Sequence, residues 1–279
     1  MFPRRRLRVT GRLCPGIPGV NAYASNKPAP PGYDPDAYHA RTLGRGVNVP
    51  LYWFARAILQ PFFHVYFRMR REGMEHVPTQ GPVIFASNHR SFLDPFVIGT
   101  LLRRPVYYVA KKELFLHPLA GWFMSRLGGI PIDRGAGDVQ AMETARRILE
   151  RGDCVVIFPE GTRTRPGPLG APHRGVGRLA LQTAAPVVPV AVLGTEAIRR
   201  GWLVRPHRVR LRCGAPLRFP AEENPSPAIA AAVTERIWAC VVLQWDWLGG
   251  AMPERSPSPA ADARLAIAAG AAAGGTLNG

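Results

Sequence analysis

A histidine and a carboxylate stand five residues apart in "NHRSFLDP", Asn88 to Pro95, directly after the apolar run "PVIFAS". On a tight strand-to-helix turn, Asp94 could fold back onto one imidazole nitrogen of His89. It would fix the ring's tautomer and stabilise the imidazolium as it forms, while the other nitrogen faced a substrate. His89 would then act as a general base. The same residues also read as an ordinary helix start, with Ser91 as N-cap, Asp94 closing a capping box and Pro95 tolerated in the first turn. Ser91 is a rival nucleophile two residues from His89. No G-x-S-x-G elbow accompanies it, and the cap is the better use of its hydroxyl.

Two further stretches carry charge to the ends of apolar runs. "GGIPIDR", Gly128 to Arg134, leaves a helix through glycine and brings Arg134 to a loop as a planar fork suited to phosphate. A surface ion pair with Asp133 or Asp138 is its simpler use. "CVVIFPEGTR", Cys154 to Arg163, reads as a buried strand stopped at Pro159 that delivers Glu160, Thr162 and Arg163 into the following turn. The carboxyl end of a buried strand is where α/β proteins place ligands. The other histidines, His39, His64, His76, His117, His173 and His207, are scattered and no H-E-x-x-H occurs, so no metal is expected. "GVGRLA", Gly175 to Ala180, matches a dinucleotide fingerprint loosely but follows "APHR" rather than a strand. It reads as a loop and a helix start.

The elements that must hold these residues follow from the apolar pattern. Residues 1–46 are rich in Pro, Gly, Asn and Arg and read as a flexible basic arm. Residues 47–72 contain "VPLYWFARAILQPFFHVYFRMRR", too broken to span a bilayer. They read as a helical segment lying at a membrane interface, or equally as a helical hairpin packed on the core. From residue 73 to 249 short apolar runs alternate with helical stretches. "PVIFAS", "PVYYVA", "CVVIF", "PVVPVAVL" and "RVRLRCG" are the expected strands. "FVIGTLL", "PLAGWFMSRLG", "VQAMETARRILERG", "VGRLALQTA" and "AAVTERIWACVVLQWDWL" are the expected helices. The fold class is therefore α/β, a mostly buried sheet flanked by helices and preceded by the interfacial helical segment. Residues 250–279, mostly Ala, Gly, Pro and Ser, read as a disordered tail.

With 47% apolar residues over 279 positions, a large buried core is within reach. A formal charge of +17 points to an anionic partner, and because lysine occurs only at Lys27, Lys111 and Lys112 the charge is nearly all arginine. Four scattered cysteines, with no C-x-x-C, suit a reducing compartment. The basic N-terminus lacks the apolar core of a secretory signal.

In order, "NHRSFLD", "GGIPIDR", "FPEGTR" and "VVPVAV" resemble the four blocks of the glycerolipid acyltransferase family that includes 1-acylglycerol-3-phosphate acyltransferase, over Asn88 to Val192. The resemblance implies a catalytic dyad of His89 and Asp94. It also implies that Arg134, Glu160, Gly161 and Arg163 hold the acceptor's glycerol phosphate, with Thr162 in the same turn and Lys111, in "AKKEL", as a further phosphate contact. The implied donor is an acyl thioester, acyl-CoA or acyl carrier protein, with no cofactor. The implied acceptor is lysophosphatidate, with glycerol 3-phosphate, another lysophospholipid or a glycolipid as alternatives. Backbone amides of the turn after Asn88 are the expected donors to the tetrahedral oxygen. The implied place is peripheral or monotopic on the cytoplasmic face of the cell membrane, against a phospholipid surface. The chain departs from the pattern after the third block, where family members often carry a Phe-Lys pair and this sequence has Pro172 and His173. A basic nucleic-acid-binding module is the rival of another class. It has no zinc finger, basic zipper or RNP-like strand to support it, and no specific nucleic-acid partner is expected.

Overall fold

The structure, a computed structural model, describes residues 33–132, 139–164, 167–200 and 203–250. Arg134, the arm before Tyr33 and the tail after Gly250 lie outside them. In chain order the helices are α1 (Pro35–Arg45), α2 (Val49–Val65), α3 (Asp94–Gly99), α4 (Pro118–Arg126), α5 (Val139–Glu150), α6 (Gly175–Thr183) and α7 (Pro227–Trp247). The strands are β1 (Arg70–Glu72), β2 (Val83–Ser87), β3 (Val106–Lys111), β4 (Gly129–Ile132), β5 (Cys154–Ile157), β6 (Val187–Leu193), β7 (Arg199–Arg200), β8 (Leu203–Val204) and β9 (Arg210–Cys213).

Seven strands form one sheet in the order β1-β9-β6-β2-β5-β3-β4, while β7 and β8 pair separately. Only β6 and β9 run antiparallel within it. β2 is buried along its whole length, the unbroken apolar run that a strand covered on both faces requires. On one face Phe85, Val156 and Val190 pack with Phe63 and Phe67 from the α2 region and Val97 and Ile98 of α3. On the other, Ile84, Val155 and Val187 pack with Ala141 and Ile148 of α5, Leu179 of α6 and Ile237 and Val241 of α7. In α5 the buried positions Ala141, Thr144, Ala145, Ile148 and Leu149 recur at three- and four-residue intervals, the stripe of an amphipathic helix against a sheet.

The expected flexible arm is corrected at its C-terminal end. Residues 35–45 form α1, capped by Asp34, whose carboxylate accepts the amides of Asp36 and Ala37. It is fastened to the fold by His39, whose Nδ1 lies 2.9 Å from Thr144 Oγ1, and by Tyr38 edge-on to Phe115. The α/β unit likewise begins before residue 73, because β1 ladders onto β9. Helix α7 is long and apolar enough to cross a membrane by length and composition, yet it packs against β6 and α6. That packing needs Gly177, where a Cβ would lie 2.2 Å from the Ala230 carbonyl and 2.5 Å from Thr234 Oγ1. Gly177→Ala is therefore expected to destabilise the protein by about 1–3 kcal/mol through overpacking, read as a lower melting temperature.

Candidate active site

Strands β2, β5 and β3 are neighbours, so the residues leaving their carboxyl ends share one edge of the sheet, about 5 Å apart per strand. His89 follows β2, the turn Phe158 to Arg163 follows β5, and Lys111 ends β3. Asn88 fixes the first of these. Its Nδ2 donates to the Val192 carbonyl at 3.0 Å and its Oδ1 accepts the Val192 amide at 2.8 Å, extending the β2–β6 ladder by one side chain. His89 then has its backbone held from the other side. Its amide donates to Glu160 Oε1 at 2.9 Å and its carbonyl accepts the Thr164 amide at 2.9 Å.

The His89 ring is almost wholly buried and stacks on Phe158 with centroids 4.1 Å apart. Its Nδ1 lies 2.9 Å from Asp94 Oδ2. The same oxygen accepts the amides of Arg90 and Ser91, each at 2.7 Å. Oδ1 accepts the Thr195 hydroxyl at 2.6 Å. A carboxylate that gathers N–H donors serves as acceptor, so Nδ1 is the ring nitrogen that donates to Asp94, and Nε2 is the one that this carboxylate leaves unengaged. The tight turn thus brings His89 and Asp94 together as the spacing implies.

Three expectations are corrected here. Ser91 is not the cap of α3, which starts at Asp94 after Leu93; only half of the capping box forms, Asp94 reaching back to the Ser91 amide. The Ser91 hydroxyl accepts the Leu93 amide in a local turn. The amides of His89, Arg90 and Ser91, expected to face a developing oxyanion, are instead engaged by Glu160 and Asp94. Glu160, expected at the acceptor, holds main chain: its second oxygen accepts the Gly170 amide at 3.0 Å. Gly161 takes a left-handed turn, where a Cβ would lie 2.8 Å from the His173 ring. Thr162 and Arg163 are exposed at the rim. Lys111 is half-buried and paired with Glu113 at 2.9 Å.

Next to the dyad turn, at Pro95 and Phe96, a small open cleft of about 40 Å³ lies between α2, α3 and β3. Tyr52, Leu59, Phe96, Val106 and Tyr108 line it, with Arg56 among them. The Arg56 guanidinium donates to the Gly99 and Thr100 carbonyls, which occupies its charge at the end of α3. Burial pushes the Tyr52 phenol up to about 12 and raises that of Tyr108 as well, so both stay neutral near physiological pH.

Comparison with known proteins places this site in a family. Residues 68–193 match the family described as Acyltransferase. The 1-acyl-sn-glycerol-3-phosphate acyltransferase of Bacillus subtilis is 31% identical over 166 residues, which cover 58% of this chain and 81% of that protein. This chain belongs to the glycerolipid acyltransferase family. The chloroplastic 1-acyl-sn-glycerol-3-phosphate acyltransferase LPAT1 of Arabidopsis thaliana is 33% identical over 136 residues, 48% of this chain. The match spans only 38% of that longer relative. The crystal structure of the 1-acyl-sn-glycerophosphate acyltransferase PlsC from Thermotoga maritima shares the fold, with a TM-score of 0.50 at 22% identity over 74% of this chain and 94% of that one.

Sequence reasoning missed the parts that immobilise the dyad in this acyltransferase fold. Phe158 opens the "FPEGTR" block and was legible only as a strand residue. Asn88 was visible in the first block, but its partner Val192 lies 104 residues away. No signal in the sequence marks Thr195.

Proposed function

We propose that this protein transfers a fatty acyl group from acyl-CoA or acyl carrier protein to the free hydroxyl of lysophosphatidate, giving phosphatidate. The observation that carries the reading is the bond between His89 Nδ1 and Asp94 Oδ2, which leaves Nε2 as the base. The acceptor hydroxyl gives its proton to Nε2 as its oxygen bonds the thioester carbonyl carbon. The tetrahedral state then collapses with loss of the C–S bond, and the thiolate or solvent takes the proton from the imidazolium. Base assistance of this kind is worth about 10²- to 10⁴-fold in rate. The largely apolar cleft beside α3, with the Arg56 charge turned to the Gly99 and Thr100 carbonyls, would receive the first part of an acyl chain. Arg163, exposed at the turn after β5, and Lys111, at the end of β3, stand on the edge where an acceptor phosphate would lie.

The amphiphilic substrates fit a membrane-docked enzyme, and the reading places it on the cytoplasmic face of the cell membrane. Trp53, Phe54, Ile58, Phe62 and Val65 leave a continuous apolar side of α2 exposed, and Phe92 of the dyad turn is exposed too. The double change Phe54→Ser and Phe62→Ser is expected to lower vesicle association by at least about tenfold, since each buried aromatic contributes ~1.5–3 kcal/mol. Flotation with phosphatidylglycerol vesicles reads the effect, and an unchanged bound fraction argues against docking through α2. The acyl-transfer reading itself is tested by supplying purified protein with labelled acyl-CoA or acyl carrier protein and a panel of lysophosphatidate, glycerol 3-phosphate and other lysophospholipids. Preferred formation of phosphatidate supports it; absence of acylated product from every pair overturns it.

A further inference from the structure

The geometry points to Thr195 as a positioning residue for the dyad, acting through Asp94. Three N–H groups converge on Oδ2 of Asp94, and a carboxylate held at one oxygen can still swing about its Cβ–Cγ bond. The Thr195 hydroxyl, 2.6 Å from Oδ1, stops that swing and so sets the plane in which Oδ2 meets the imidazole. Both residues are buried, at 1% and 0% exposure, so water does not substitute for the hydroxyl without rearrangement.

Thr195 is itself built into place. It follows β6 through Gly194, whose φ of 98° and a Cβ position 2.3 Å from the Arg208 carbonyl admit only glycine. Glu196 Oε2 accepts the Gly194 amide at 3.0 Å, the Ala197 amide donates to the Gly194 carbonyl at 3.3 Å, and Ile198 anchors the turn in the core. A turn closed this way serves the fold without needing a hydroxyl at position 195. The hydroxyl donates to the Asp94 carboxylate, and that assigns its role.

The inference rests on the acyl-transfer reading above, and its test separates the two. Thr195→Val keeps the side-chain shape and removes the donor; Thr195→Ser keeps the donor. Expected results are a kcat about 10- to 100-fold lower for Thr195→Val with KM for both substrates nearly unchanged, and most of that loss recovered in Thr195→Ser. In an Asp94→Asn background, Thr195→Val is expected to add little, because the two act as one unit. Independently of turnover, the Nδ1 proton of His89, assigned in NMR spectra by its absence from His89→Ala, is expected to shift and exchange faster with water in Thr195→Val. A Thr195→Val protein with wild-type kcat, a Thr195→Ser protein as impaired as Thr195→Val, or an unchanged Nδ1 proton overturns the inference. If the wild-type protein transfers no acyl group, the acyl-transfer reading fails, and the Nδ1 proton still decides whether Thr195 positions the dyad.

Discussion

His89→Ala is expected to cut acyl transfer by about 10²- to 10⁴-fold, the range that removal of a general base costs, while leaving the fold in place. The reason the fold should survive lies in the backbone. What His89 gives to the architecture is its amide, bonded to Glu160, and its carbonyl, bonded to Thr164, and alanine keeps both. Asp94 Oδ2 loses the imidazole but retains the amides of Arg90 and Ser91. The remaining cost is the loss of the ring's stacking on Phe158, a truncation of a buried side chain that should lower the melting temperature modestly. Imidazole added to the assay should fill the vacated space in front of Phe158 and restore part of the rate. A purified His89→Ala protein that turns over at the wild-type rate would remove His89, and the general-base step assigned to it, from the mechanism.

The parts of this architecture that are local in the chain were legible in its sequence. The run Val83–Ser87 can only be a strand buried on both faces, and the five-residue interval from His89 to Asp94 is short enough for one turn to close. The parts that depend on strand order were not. β2 lies between β5 and β6, so Glu160 reaches His89 from one side and Thr195 reaches Asp94 from the other, across 71 and 101 residues of sequence. No periodicity encodes that neighbourhood. β1, "RRE", has no apolar alternation because it is an exposed edge held by its ladder to β9. Helix α1 was read as arm because Pro and Gly dominate its surroundings. Its own signals are Asp34 as cap, Pro35 in the first turn and Gly46 at the end, and they were present in the sequence. What holds it in place, Thr144 against His39, is again distant.

Glu160 shows why a motif residue's role is harder to read than its presence. A carboxylate beside an arginine in a strand-end turn fits a polar substrate site, yet here both oxygens serve main-chain amides, at His89 and Gly170. In the proposed reaction it would act by fixing where the imidazole starts. The same holds for Asn88, whose amide group completes a ladder with Val192. The motif thus encodes a rigid frame as much as a pair of reacting groups, which is what preorganised catalysis demands.

Asp94→Asn separates charge from geometry more cleanly than any other change at this site. The asparagine carbonyl can occupy the place of Oδ2 and accept the three N–H groups that meet there, from His89 Nδ1, Arg90 and Ser91. Its amide nitrogen then faces Thr195, whose hydroxyl can turn from donor to acceptor. Every buried polar atom therefore keeps a partner, and the melting temperature should stay close to that of the wild type. What disappears is the negative charge next to the imidazolium that forms when Nε2 takes the substrate proton. In a buried site that charge has no solvent to replace it, so kcat is expected to fall by about 10²- to 10⁴-fold with KM little changed. Asp94→Ala would not give the same information, because it strands the amides of Arg90 and Ser91 without an acceptor and mixes instability with lost catalysis. A folded Asp94→Asn protein with undiminished kcat would show that proton transfer at His89 needs no counter-charge, and the dyad would then be a hinge of the fold rather than a catalytic pair.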